Sequence, residues 1–315
     1  MLEHMLVAVN AVLPSFLIIA LGLFLRRRGK LEENSLGKFN SIAFRVFLPF
    51  QIFKNVFDAP IGESFDLKLI LFVTCGLIAA GGLALLTAAL VEPRRDRRGV
   101  MAQGMFRANY VLLGIPLIES LFGSAGTGLA SLMIAINIPI YNVLSVVFLE
   151  LYAGGQIDVK KMLRDIAANP LIDATLVGLL AKAVHLPVYA LPFVGSTLKS
   201  LAAVATPLCL FILGGSFVPS GVGGYVKSLC ITVAFKSLVI PGLALAAAAA
   251  MGFRGVALAV VMMSFGAPTA VNSFTMAKEL GGDAEFAAGI VVVDTALSCL
   301  TLFGWIVLLR SLGLF

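Results

Sequence analysis

Ten runs of roughly 20 mainly apolar residues follow one another along this chain, each about the length a helix needs to cross the hydrocarbon of a bilayer. They lie near 5–25, 36–57, 67–91, 99–122, 127–152, 166–184, 191–217, 226–250, 255–279 and 285–309. Every backbone amide in lipid must be satisfied within the protein, so such runs can fold only as helices packed side by side. Composition agrees: 60% of the 315 residues are hydrophobic, 13% are charged, and the mean hydropathy is +1.02. A soluble domain carries about 25% charged residues. This chain has too few to cover a surface facing water. The expected fold is an all-α polytopic membrane protein with ten transmembrane helices.

The charges sit where topology needs them. Arg26, Arg27, Arg28, Lys30 and Lys38 follow the first run, Arg94, Arg95, Arg97 and Arg98 the third, and Lys160, Lys161 and Arg164 the fifth. The loop after the second run sets Asp58, Glu63 and Asp66 against Lys68, and the loop after the fourth has no charge. Basic loops stay in the cytoplasm, which places loops 1, 3 and 5 inside and both termini outside. The net charge of +6 therefore reads as topology and not as nucleic-acid contact. Met1-Leu2-Glu3-His4 has no basic leader region, so the first run reads as a retained helix. Cys75, Cys209, Cys230 and Cys299 all fall inside apolar runs, where they read as buried small hydrophobes and not as a disulfide framework.

The chain also repeats itself. A shift of 156 residues lays Pro14 on Pro170, Gly22 on Gly178, and Arg98-Gly99-Val100 on Arg254-Gly255-Val256; Pro49 and Pro207 match with a slip of two. This divides the chain into a first repeat at 1–152, a short cytoplasmic linker at 153–165 and a second repeat at 166–315. Each repeat holds five runs, and an odd number inserts the second copy upside down. Inverted repeats belong to secondary transporters, whose sites lie near the midplane between the repeats.

Two runs at equivalent places carry helix breakers in mid-run. The fourth has Arg107, Asn109, Tyr110, Gly114 and Pro116; the ninth has Gly266, Pro268, Thr269, Asn272 and Ser273. Proline removes a donor and clashes with the preceding turn, so both segments are expected to unwind, from Asn109 to Pro116 and from Gly266 to Ser273. Unwound backbone at membrane depth is tolerated where it lines a cavity, and new half-helix N-termini favour an anion. The plainer reading is two proline-kinked helices with no ligand. Two matched segments, each with an asparagine, favour a site.

The patterns Asn109-x4-Gly114-x-Pro116 and Pro268-Thr269-Ala270-x-Asn272-x-Phe274, with Asn169-Pro170-Leu171-Ile172, resemble the auxin efflux carrier family, including bacterial members described as malate or malonate permeases. The resemblance runs over essentially the whole chain, and Pro-Thr-Ala-x-Asn is its most specific part. It implies ten helices as two inverted five-helix repeats, with broken helices 4 and 9 crossing at the centre, similar to the bile-acid/sodium symporter fold. Plant members carry a long loop between spans 5 and 6. The short link here is that of a compact bacterial member, which implies a multi-pass protein of the bacterial cytoplasmic membrane.

Ionisable residues within spans are functional candidates by default. Arg107 offers a partner for a carboxylate, for Glu119, or for the interface. Arg45 precedes Pro49 by four residues and reads equally as interfacial. Lys236 and Asp294 lie deep in spans 8 and 10, as charge or proton carriers or as a structural pair. Gln51, Asn137, Tyr141 and Asn142 are candidates for a cavity lining or for helix–helix hydrogen bonds. His4 and His185 are unclustered, and no metal-ligand cluster, zinc-protease motif or Walker loop is present, so no catalytic residue, metal or cofactor is expected. The expected function is a secondary carrier for a small organic anion, a mono- or dicarboxylate such as malate or malonate, working by alternating access. Its partners are that anion and the bilayer; proton or sodium coupling and a homodimer stay open. The alternatives are a sodium-coupled organic-anion symporter of the bile-acid type, and an anion channel or ligand-sensing membrane receptor.

Overall fold

The computed structural model of the protein describes residues 2–59, 66–153, 164, 166–217 and 223–315. Residues 154–163 and 165 of the expected linker, Lys160 and Lys161 among them, lie outside that description, as does Glu63. Among the described residues the chain is helical, with one isolated β-bridge and no strand. The helices are α1 (Leu2–Arg27), α2 (Glu33–Ile42), α3 (Leu48–Asp58), α4 (Leu67–Val91), α5 (Arg95–Phe106), α6 (Ile115–Leu132) and α7 (Ile134–Tyr152). They continue with α8 (Pro170–Ala183), α9 (Pro192–Ser216), α10 (Val226–Ala234), α11 (Ile240–Ala250), α12 (Gly255–Gly266), α13 (Asn272–Glu279) and α14 (Ala284–Ser311).

Five described stretches are long and apolar enough to cross a membrane: Leu67–Val91, Leu129–Tyr152, Pro192–Ser216, Val226–Ala250 and Ala284–Ser311. Large apolar side chains stand exposed along them and their neighbours, including Leu21, Leu71, Leu86, Leu90, Leu180, Leu243 and Leu300. Water penalises such surfaces and lipid does not, so these faces belong in a bilayer.

Among the described residues three π-turns occur: two join shorter helices into longer ones, and the one at Tyr110–Gly114 opens α6. They span Ala43–Phe47, Tyr110–Gly114 and Phe235–Val239, and each is followed two residues later by a proline: Pro49, Pro116 and Pro241. A proline ring clashes with the carbonyl four residues back and leaves it without a donor. A widened turn moves that carbonyl aside, and the proline then sits in the first turn of the next helix, where no N–H is missed. At the third, the freed Ser237 carbonyl accepts the Trp305 Nε1–H at 2.9 Å. The expected unwinding through Pro116 is thereby corrected. The chain is already helical at Tyr110, and the extended residues are Arg107 to Asn109. The second break is likewise shorter than expected, because Gly266 closes α12 and Ser273 lies within α13. The range of α6 holds two helices that meet at Gly123, where φ is +65°, and the fourth run stops at that break.

Glycine sets the closest helix contacts. A Cβ on Gly214 of α9 would lie 2.0 Å from the Ile19 carbonyl oxygen of α1, and one on Gly22 would lie 2.2 Å from the Phe211 carbonyl oxygen. Without hydrophobic drive between helices in lipid, this backbone-to-backbone approach is what packing has to offer. Gly178 of α8, the match of Gly22 at the 156-residue shift, meets α3 at the Phe53 carbonyl oxygen, 3.3 Å from a built Cβ. Helix starts are set by local caps. Asp66, Asn169 and Asp283 each accept a backbone N–H from the first turn of α4, α8 and α14. Asp283 also accepts Arg97 Nε–H at 2.7 Å, tying the start of α14 to the start of α5.

The cysteine expectation holds for Cys209, which is buried, but not for Cys75 and Cys230, which are exposed. A small apolar thiol is as compatible with lipid as with a core, so hydropathy alone does not choose between them.

The α1–α9 contact gives a direct test. Gly214→Ala is expected to destabilise the protein by more than about 2 kcal/mol, since the clash is with backbone and no rotamer relieves it. Gly82→Ala, which meets nothing within 4 Å, is expected to stay within about 0.5 kcal/mol of wild type. Thermal unfolding of both variants in detergent reads the difference.

Candidate functional site

Helix α5 ends at Phe106, and Arg107 is extended at φ −74°, ψ 124°. Helix α12 ends at Gly266, and Ala267 is extended at φ −61°, ψ 145°. The two extended segments cross antiparallel. Ala108 and Thr269 form the bridge, and the Asn109 N–H donates to the Pro268 carbonyl at 2.7 Å. Each break satisfies part of what the other lost.

The remaining helix-end carbonyls are met one at a time. At the end of α12, Met263 O accepts from Ala267 N, Ser264 O from the Tyr141 hydroxyl, and Phe265 O from Lys236 Nζ at 3.0 Å. At the end of α5, Gln103 O accepts from Arg107 N, and Gly104 O lies 2.9 Å from the Thr269 hydroxyl. Phe106 O lies 3.5 Å from the same Lys236 ammonium. Asp294 serves the opposite need. Its Oδ2 accepts the Thr269 N–H at 2.6 Å and lies 2.9 Å from the Thr269 hydroxyl, while Oδ1 accepts from Ser237 at 2.7 Å. Among the described ion pairs, Lys236 and Asp294 do not form one. Each binds the crossover backbone on its own account, so of the two readings left open for them a direct ion pair is not what the described contacts give.

A cavity of about 370 Å³ lies against the crossover. Of the expected residues, Gln51, Arg107, Asn109, Tyr110, Pro116, Tyr141, Asn142 and Asn272 line it. Gly114, Gly266, Pro268, Thr269, Ser273 and Asn137 are outside that lining. Gly114 packs on the Tyr110 ring, Gly266 on Pro241, and Asn137 donates to Ser264 Oγ at 2.9 Å. Arg45 is far from this role: its side chain is 70% exposed and paired with Glu279. The polar lining residues absent from the sequence candidates are Asn55 and Thr206. Asn55 stands four residues after Gln51 on α3, one turn along the same face, and that spacing is the signal that reveals it. Thr206 accepts the Gln51 amide at 2.7 Å.

The electrostatics of the cavity are one-sided. Arg107 is buried, with its side-chain nitrogens on Asn142 Oδ1 at 2.8 Å, Met276 Sδ at 3.0 Å and the Tyr141 carbonyl at 3.4 Å. Its Nε has no partner, and no described carboxylate pairs with it; Glu119 is exposed. Asn272 Oδ1 is buried without a partner, at the N-terminus of α13. The lining thus combines a buried guanidinium, one unpartnered amide oxygen, that of Asn272, and two helix starts, at Tyr110 and Asn272. Helix starts and an uncompensated guanidinium both attract negative charge.

An all-helical, multi-pass membrane protein with two broken helices meeting beside a cavity is what the fold and its site define. Comparison with known proteins narrows the class. Residues 7–160 and 156–306 match a family described as "Membrane transport protein", and the chain belongs to this family, that of the auxin efflux carriers. A relative from Methanothermobacter thermautotrophicus, described as an uncharacterized transporter, is 24% identical over 304 residues, covering 95% of this chain and 98% of its own. The chain is a membrane transporter.

Thr269 anchors the crossover through its hydroxyl as well as its backbone. Thr269→Val keeps the shape and leaves Gly104 O and one Asp294 contact unmet. A loss of about 1–3 kcal/mol in unfolding stability is expected, read by thermal denaturation beside Ser311→Ala at the exposed end of α14 as a control.

Proposed function

We propose that this protein is a secondary carrier for a small organic anion, a mono- or dicarboxylate such as malate or malonate, working by alternating access in the bacterial cytoplasmic membrane. One observation carries the reading: the Arg107 guanidinium is buried at the cavity with no described carboxylate to balance it. An unpaired buried charge is costly, and a ligand carboxylate removes that cost while filling the cavity. The side-chain amides of Asn109 and Asn272 also line the cavity, and each carries an NH2 able to donate to a carboxylate.

The same reading takes the chain as ten spans in two inverted five-helix repeats, 1–152 and 166–315, joined by a cytoplasmic linker, with both termini outside. Three facts support it. The two family matches meet at 156–160. Gly22 and Gly178 make matched approaches, α1 on α9 and α8 on α3. The broken segments fall at equivalent places and cross. Alternating access needs one end closed while the other admits substrate. At the end where α13 meets α2, Lys278 reaches Glu33 at 3.3 Å and Ser216 at 3.2 Å, and Glu279 pairs with Arg45 at 3.2 Å. These contacts hold that end shut, and breaking them is the step that lets α13 move.

Uptake of labelled malate, malonate and auxin-like acids into proteoliposomes tests the substrate class. Saturable uptake of at least one is expected. Folded protein that moves none of them defeats the anion reading, ohmic conductance defeats the carrier reading in favour of a channel, and strict sodium dependence favours a symporter of the bile-acid type. Arg107→Gln, Asn109→Ala and Asn272→Ala are each expected to weaken binding about tenfold or more, with expression retained. Wild-type affinity in all three removes them from the site.

A further inference from the structure

Among the described residues the buried charged side chains are Glu92, Arg107, Lys236 and Asp294. Glu92 lies just past the end of α4, accepting from Ser228 and from the Arg94 backbone. Arg107 faces the cavity. Lys236 and Asp294 are fully buried behind the crossover, are absent from the cavity lining, and have no part in holding the anion.

Lys236 stands where two half-helices stop. Its ammonium is 3.0 Å from the last-turn carbonyl of α12, Phe265 O, and 3.5 Å from that of α5, Phe106 O. Helix C-termini carry partial negative charge, and here two of them converge with a carboxylate, Asp294, on the same stretch of backbone. Carbonyl oxygens from broken helices, reinforced by helix C-termini, form the kind of place in which transporters hold a coupling sodium. Here a side chain delivers the positive charge. The π-turn at Phe235–Val239 sets the position of Lys236, and Trp305 and Asp294 lock the neighbouring Ser237 by its carbonyl and its hydroxyl.

We infer that Lys236 is a tethered cation that takes the place of a free coupling cation at the crossover, so that anion binding needs no sodium. Lys236 is a positioning residue in this role: it holds the ends of α5 and α12 together, and so fixes Arg107 and Asn109, which follow directly on α5. The charges agree. With Lys236 positive and Asp294 negative the crossover itself is neutral, and Arg107 remains to balance one carboxylate of the anion.

The inference rests on the carrier reading, and wild-type protein separates the two. Anion-induced thermal shift and uptake are first measured in sodium chloride and in N-methylglucamine chloride at matched ionic strength. Equal affinity in the two salts is expected; a dependence on sodium of about tenfold or more overturns the inference while leaving the carrier reading intact. No anion response in either salt defeats the carrier reading instead, and Lys236 is then judged on stability alone. Lys236→Ala is expected to lose anion affinity by about tenfold or more, and to recover it when propylammonium, the missing part of the side chain, is supplied. A variant that fails to fold is expected to fold when purified with propylammonium. Lys236→Ala that binds anion normally, or melts as wild type with no cation response, overturns the tethered-cation role. Lys236→Met serves as a second variant that keeps the volume and removes the charge; rescue of Lys236→Ala with no loss in Lys236→Met also overturns it.

Discussion

A backbone amide that leaves its helix inside a bilayer finds no water to replace the lost partner. Two helices of this protein break in its buried interior, and much of the central structure answers that one difficulty. The breaks cross so that Asn109 N–H meets Pro268 O, and Ala108 bridges Thr269. The residues around them divide the rest by sign. Carbonyl ends, which are electron-rich, receive Lys236 and the Tyr141 hydroxyl; the free N–H of Thr269 receives Asp294. A crossover satisfied this fully on one side can leave polar groups unmet on the other, where the cavity is. Arg107 Nε and Asn272 Oδ1 are those groups. Incomplete satisfaction of a buried group is costly, and a guanidinium nitrogen and an amide oxygen left so beside a cavity suit a place that a ligand completes.

Proline and glycine act on this arrangement at two scales. Proline shapes the long helices locally: a π-turn precedes each of Pro49, Pro116 and Pro241, and two of the three turns carry central residues, Tyr110 at the cavity and Lys236 at the crossover. Glycine acts between helices. Gly22 and Gly214 bring α1 and α9 into backbone contact, and Gly99 sets its α-carbon against the Phe148 carbonyl of α7. These contacts are made by backbone and do not depend on flexible side chains.

Much of this was legible in the chain and some of it was not, for reasons specific to each residue. Asn109 and Asn272 announce themselves as amides beside helix breakers, and both line the cavity. Arg107, Tyr110 and Gln51 follow from position and polarity. Pro268 and Thr269 belong to the same motif yet serve the crossover backbone, because a motif records which residues are needed without saying which side of the chain they face. For Arg45 the structure takes the interfacial of the two readings. Hydropathy counts it inside a span, but it projects outward to Glu279, some 234 positions away in sequence.

Periodicity and composition by themselves determined that the chain is a bundle of apolar helices, because nothing but a helix closes its own hydrogen bonds in lipid. They also located the two places where helices break, since proline and glycine carry that information locally. Tertiary structure alone decided what the breaks do. Lys236 and Asp294 are 58 residues apart in sequence, and the sequence leaves open whether they pair; each is turned to a different backbone group. Whether two opposite charges meet or serve separate ends depends on where four half-helix termini lie in space, and no local pattern encodes that.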